Sequence, residues 1–119
     1  MTFLEKYANV ILSSLNLQAG QNLLIRTEPV HWRFASTIAA EAYKMGARYV
    51  RVDSNEIENP LLYKARIEHS KEEYLSYVPL FRTETMHLLV EENWALIALK
   101  GTEDPEILST LDPVRNAIT

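Results

Sequence analysis

Three histidines, His31, His69 and His87, are the side chains of this 119-residue chain best suited to metal ligation or proton transfer, and each falls in a different segment. Zinc hydrolases commonly place two histidines four residues apart on one helix with a glutamate between them, so that both imidazoles face one ion. No such spacing occurs here. The acidic pairs Glu72-Glu73, Glu91-Glu92 and Glu103-Asp104 are adjacent in sequence. On a helix, neighbours point about 100° apart, so these pairs diverge instead of converging on one cation. Cysteine is absent, which excludes disulfides, thiolate zinc sites and cysteine nucleophiles, and no serine stands between the glycines of a nucleophile elbow. The turn Arg26-Thr27-Glu28-Pro29-Val30-His31 also fails as a phosphate cradle. It lacks glycine, loses one amide to proline and carries a carboxylate that repels an anion. Glu28 and Asp53 stand alone where a magnesium-dependent phospho-acceptor wants an acidic cluster.

The elements that would hold a site are easier to read. Gln21 to Asp53 forms a strand–helix–strand unit. Leu23, Leu24 and Ile25 make a short apolar run after Gly20, and Tyr49, Val50 and Val52 alternate with arginines after Gly46. Between them Phe34, Ala35, Ile38, Ala39, Ala42 and Met45 recur at three and four, with Arg33, Ser36, Thr37, Glu41 and Lys44 on the other side. Pro29 suits the first helical position and Gly46 the left-handed stop. A crossover of this length makes the two strands parallel neighbours.

Before this unit, Thr2 and Glu5 have capping-box spacing, and Leu4, Ala8, Ile11 and Leu15 continue one stripe to a stop at Asn16. After it, short helices are expected over 61–68, with Leu61, Ala65 and either Leu62 or Ile67 inward, and from Ser70 to Pro79. A longer helix is expected over 80–92, with Phe81, Thr85, Leu88 and Leu89 as its stripe and Met86 as an optional further member. Trp94 to Leu99 is a third strand, almost wholly apolar and so suited to cover on both faces. Asp104-Pro105 and Asp112-Pro113 are N-cap signals for two further helices, the second of which runs unfinished to Thr119.

These elements predict an α/β domain in three layers, with parallel strands near 22–27, 48–53 and 94–99 in the order 2-1-3. The long second connection suits a return across the sheet to its other edge. A crevice would then open at the carboxyl ends of strands one and three, lined by Thr27, Glu28, Gly101, Thr102 and Glu103. Trp32, in the first turn of its helix, is the tryptophan expected to be exposed, and Trp94 the one expected in the core.

Composition sets the class: 47% hydrophobic and 24% charged residues fit one globular domain, and no run approaches the roughly 20 apolar residues of a membrane span. No leader segment is visible, and with no cysteine the expected location is cytoplasmic. A net charge of -4 with scattered Lys and Arg argues against a nucleic-acid partner.

Several stretches resemble the N-terminal region of the thermophilic metalloaminopeptidases, the family of aminopeptidases T and S. They are Leu4-Glu5-Lys6-Tyr7-Ala8, Leu15 through Arg26, Glu41-Ala42-Tyr43-Lys44-Met45-Gly46-Ala47, and Ala65-Arg66-Ile67-Glu68. The Pro79 region, Gly101 to Pro105 and Leu111 to Arg115 extend the similarity to nearly the whole chain. The resemblance implies a parent enzyme that removes N-terminal amino acids from peptides with two divalent metal ions, zinc, cobalt or similar, and that forms a homodimer. It implies metal ligands in a C-terminal domain absent from this chain. Residues 1–119 are therefore expected to be a single α/β domain, the N-terminal part of a longer two-domain peptidase. That domain would be inactive alone, without catalytic or metal-binding residues of its own, walling the substrate cavity and shaping subunit contacts. A stand-alone α/β binding or protein-interaction module is the alternative.

Overall fold

The computed structural model describes residues 1–54, 59–99 and 110–118. In chain order these form α1 (Phe3–Leu15), β1 (Leu23–Thr27), a 3-10 turn (Pro29–His31), α2 (Trp32–Lys44), β2 (Val50–Asp53) and α3 (Pro60–His69). A second 3-10 turn (Glu72–Tyr74), α4 (Leu80–Glu91), β3 (Ala95–Leu99) and α5 (Pro113–Ile118) follow. The short helix expected at Asp104-Pro105 lies outside the described residues.

The three strands form one parallel sheet in the expected order β2-β1-β3. Registers run Leu23 to Val50 and Arg26 to Asp53 on one side, and Leu23 to Ala95 and Thr27 to Leu99 on the other. Alternation along the strands sorts their side chains between two faces. One face carries Leu23, Ile25, Val50, Ala95, Ile97 and Leu99, and against it pack Ala8 and Leu12 of α1 and Ala35, Ile38 and Ala42 of α2. This is the main core. Alanines at 35 and 42 let α2 lie close to the strands, as the sequence pattern predicts.

Both helices on this face have local reasons to start and stop. The Thr2 hydroxyl accepts the Glu5 amide at 3.1 Å, and Asn16 ends α1 with φ 58°. Gly46 follows α2 with φ 99°, where a Cβ would lie 3.3 Å from that of Ala19. Glycine answers both demands, left-handed geometry and close approach. Its carbonyl accepts the Gly20 amide at 2.7 Å, which ties the loop before β1 to the end of α2. At the sheet edge the Val50 amide donates to the Tyr43 hydroxyl at 2.9 Å, so α2 also fixes the start of β2.

The opposite face differs. Leu24, Arg26, Arg51, Asp53 and Leu96 point there, and α4 stands over it with Leu89 buried and the Arg26 guanidinium 3.5 Å from the Met86 sulfur. Beyond it Ile67, Leu75 and Leu111 make a small second cluster with Tyr63 and Ile118. Arginines join that cluster. Arg115 donates to the carbonyls of Ile67 (2.7 Å) and Ser70, and Arg66 to those of Leu75 (2.9 Å) and Tyr77 (3.2 Å), meeting acceptors that a helix end and a tight turn leave open.

Several expectations on this side are corrected. Leu61 and Ala65, expected inward, are exposed, and of the two alternatives Leu62 and Ile67 it is Ile67 that is buried. Of the expected α4 stripe, Leu89 is buried and Thr85 half-buried, but Phe81 and Leu88 face solvent. The expected helix after Ser70 is reduced to one 3-10 turn, Glu72–Tyr74, which ends well before Pro79. The Cα envelope measures 47 × 32 × 17 Å with a radius of gyration of 16.6 Å. A compact 119-residue domain would give about 13.5 Å.

Candidate functional site

Thr27 closes β1 with its side chain turned inward, 2% exposed, and its hydroxyl donates to the Glu28 carbonyl at 2.9 Å. Glu28 is half-buried, and its amide donates to the Leu99 carbonyl, which extends the β1–β3 ladder by one bond. Gly101, Thr102 and Glu103 lie outside the described residues, so only one side of the expected crevice is visible.

A concavity of about 460 Å³ lies nearby, at the carboxyl ends of β1 and β2 on the face that α4 covers. Leu24, Arg26, Arg51, Asp53 and Ser54 come from the sheet side, and Phe81, Arg82, Thr85 and Met86 from α4. Parallel α/β sheets bind ligands outside the carboxyl ends of their strands, so the position is a favourable one. Parity brings the two strand arginines together: Arg51 stands beside Leu24, and Arg26 beside Asp53, all on one face. The Arg51 Nε donates to Asp53 Oδ1 at 2.8 Å, an ion pair that holds one guanidinium in place. Sequence reasoning missed this set. Its signal was present, because Arg26 and Arg51 interrupt otherwise apolar strands at positions that share a face.

Glu41 also departs from expectation. Assigned by periodicity to the solvent side of α2, it is 3% exposed and wedged against α1. The Lys44 ammonium donates to its Oε1 at 3.0 Å and the Asn9 amide to its Oε2 at 3.1 Å. These two bonds hold its carboxyl below the ordinary 4.5, against a smaller opposing effect of burial, and the same contact raises Lys44. With both oxygens occupied, this carboxylate clamps α1 to α2 and is not presented to a substrate. Asn22, buried at the amino end of β1, has an Oδ1 without a hydrogen-bond partner among the described residues.

The three histidines stay apart: His31 in the turn before α2, His69 at the end of α3 and His87 within α4. Among the described residues no three His, Asp or Glu side chains stand close enough to share an ion. The described residues alone do not assemble a two-metal centre. Trp32 is exposed as expected, whereas Trp94 is half-buried just before β3, its indole N–H 3.3 Å from a Glu92 carboxylate oxygen. Among the described residues no helix is long and apolar enough to cross a membrane.

Comparison with known proteins adds what the geometry leaves open. The chain is 30% identical over 115 residues to aminopeptidase 2 of Geobacillus stearothermophilus, covering 96% of this chain and 27% of that protein. It is 24% identical over 113 residues to aminopeptidase PepS of Streptococcus thermophilus, covering 94% and 26%. The structure of wild-type AmpT from Thermus thermophilus superposes with a TM-score of 0.84 at 28% identity, over 97% of this chain and 28% of that one. The chain thus spans about a quarter of the length of the curated relatives it matches, and it is homologous to the N-terminal part of those aminopeptidases. The family model described as thermophilic metalloprotease (M29) matches residues 2–119, and the chain belongs to that family.

Proposed function

We propose that the chain is a non-catalytic N-terminal domain of a two-metal aminopeptidase that removes N-terminal amino acids from peptides. One observation carries the reading. A family match from residue 2 to 119 accompanies a described structure in which no three potential ligands gather. A co-catalytic pair needs several carboxylates and imidazoles holding two ions about 3.5–4 Å apart, and the described residues bring no such set together. In the parent enzyme, two divalent ions such as zinc or cobalt would be held outside these residues and would polarise the scissile carbonyl. Here the sheet and its helices would wall part of the substrate cavity.

Exposed aromatics support a role in subunit contacts within a homodimer. Phe3 stacks on Tyr7 and Tyr7 on Phe34, with centroids 6.4 and 5.6 Å apart, and Phe3 and Tyr7 both face solvent. A cytoplasmic location belongs to the same proposal and fits a chain without cysteine. The ligand-sized cavity favours a second reading, a stand-alone α/β binding module. Aminoacyl-nitroanilide hydrolysis tests the first. The purified chain with excess zinc, cobalt or manganese should show no turnover, and turnover that survives further purification would overturn the proposal.

A further inference from the structure

The two outer edges of the sheet are finished differently. In a strand the N–H and C=O of one residue point to the same side, and those of the next residue to the other. The Ala95 amide donates to the Asn22 carbonyl at 2.9 Å and the Leu99 carbonyl accepts the Glu28 amide at 3.3 Å, so Ala95, Ile97 and Leu99 face β1. Leu96 and Ala98 therefore turn their backbone groups outward. Among the described residues nothing pairs with those groups. On the other side the Leu23 amide donates to the Tyr49 carbonyl at 2.9 Å, which by the same rule makes Val50 and Val52 the outward residues of β2. That edge is blunted. The Tyr43 hydroxyl accepts the Val50 amide at 2.9 Å, and the Arg51–Asp53 ion pair puts charge on the strand. Charges, proline and covered amides are the guards of an edge strand, and a strand without them is a template for another. On β3, Trp94 to Leu99 holds no charge and no proline, and Leu96 and Ala98 are both exposed.

We propose that the β3 edge pairs with the β3 edge of a second copy of this chain, antiparallel about a two-fold axis at Ile97, joining the two three-stranded sheets into one. Outward donors and acceptors in alternation call for an extended backbone, and a second β3 supplies one of matching length. Leu96 of one copy then exchanges both backbone bonds with Ala98 of the other, the large side chain set against the small, and the two Ile97 residues meet as a β-branched pair. An uncharged strand meets its own copy without like-charge repulsion, whereas the same pairing of β2 about its centre would set Arg51 against Arg51. A two-fold axis is also the commonest symmetry of a homo-oligomer. The contact uses none of the Phe3, Tyr7 and Phe34 rings and needs neither metal nor peptidase activity, so it stands separately from the aminopeptidase reading.

The test is sedimentation equilibrium of the metal-free, 119-residue chain, which should show reversible monomer–dimer association in the micromolar range. Ala98→Pro deletes an outward amide and leaves the bonds of Ala95, Ile97 and Leu99 to β1 in place. It should weaken the dimer about tenfold or more, because the axis repeats the lost bond in both copies, with unchanged circular dichroism. Leu96→Lys, a charge at a position already 43% exposed, should weaken it as well, more at low salt than at high, and serves where the proline disturbs the sheet. Phe3→Ser, on the solvent side of α1, should leave the dimer unchanged. In hydrogen exchange the Leu96 and Ala98 amides should gain protection as concentration rises, and the Val52 amide should not. A chain that stays monomeric, a dimer as tight in a folded β3 variant as in the parent chain, a dimer lost in Phe3→Ser, or protection gained without Leu96 and Ala98 would each overturn the proposal.

Discussion

The two faces of the sheet are built by different rules. Against one, α1 and α2 pack Ala8, Leu12, Ala35, Ile38 and Ala42 onto Leu23, Ile25 and Ala95, an apolar core beside which Glu41 is buried between the two helices. On the other, Leu24 shares the surface with Arg26, Arg51 and Asp53, and α4 leaves a cavity instead of filling it. Burial of apolar area drives folding, so the first face should hold most of the stability of the chain. The second sacrifices packing for a polar, concave surface, which is where a ligand or another part of a protein can be received.

The largest break in this contrast should come from Ile38→Ala. The side chain is fully buried in the main core, and its truncation should cost about 2–5 kcal/mol in a urea titration. A loss below about 1 kcal/mol would mean that the α2 face is not what holds the sheet.

A smaller effect concerns Glu41, and its sign follows from its partners. Its lowered pKa means that folding favours the carboxylate, so this stabilisation is complete above the ordinary carboxylate range and fades as pH falls through the folded value. Lys44, raised by the same contact, contributes below the ordinary lysine pKa and loses its share as pH rises through its own raised value. Glu41→Gln should therefore flatten the acid limb of the stability profile, with α1 amides showing the change in hydrogen exchange. An acid limb identical to that of the parent chain would remove the clamp from the account.

The smallest effect is expected from Leu88→Ala on α4. Leu88 is 52% exposed, and its loss should stay within about 0.5 kcal/mol. A cost comparable to that of Ile38→Ala would show that the second face carries a core as well.

How far the sequence reveals the molecule follows the same division. Strand order, parallel pairing and the α2 stripe are legible because Ala35, Ile38 and Ala42 repeat at helical spacing between two strand patterns closed by Gly20 and Gly46. On α4, Leu80, Phe81, Leu88, Leu89 and Val90 surround the helix without a clear stripe, so periodicity cannot select the one that is buried. Glu41 misleads because its helix position is polar by pattern, and only the approach of α1 and Asn9 makes it interior. The cavity was out of reach for a related reason. Arg26 and Arg51 share a face by strand parity, but Arg82 joins them through a long connection whose path no local pattern specifies. Family membership, by contrast, is carried by scattered short stretches such as Glu41 to Ala47, whose wording is recognisable although their chemistry is structural.

If, as proposed, this chain contributes scaffold and surface to metalloaminopeptidase chemistry, it should need no metal centre of its own. Calorimetric titration of the chelator-treated, 119-residue chain with zinc, cobalt and manganese tests it most directly. No stoichiometric binding at submicromolar metal is the predicted result. One or two equivalents bound at submicromolar affinity would contradict it.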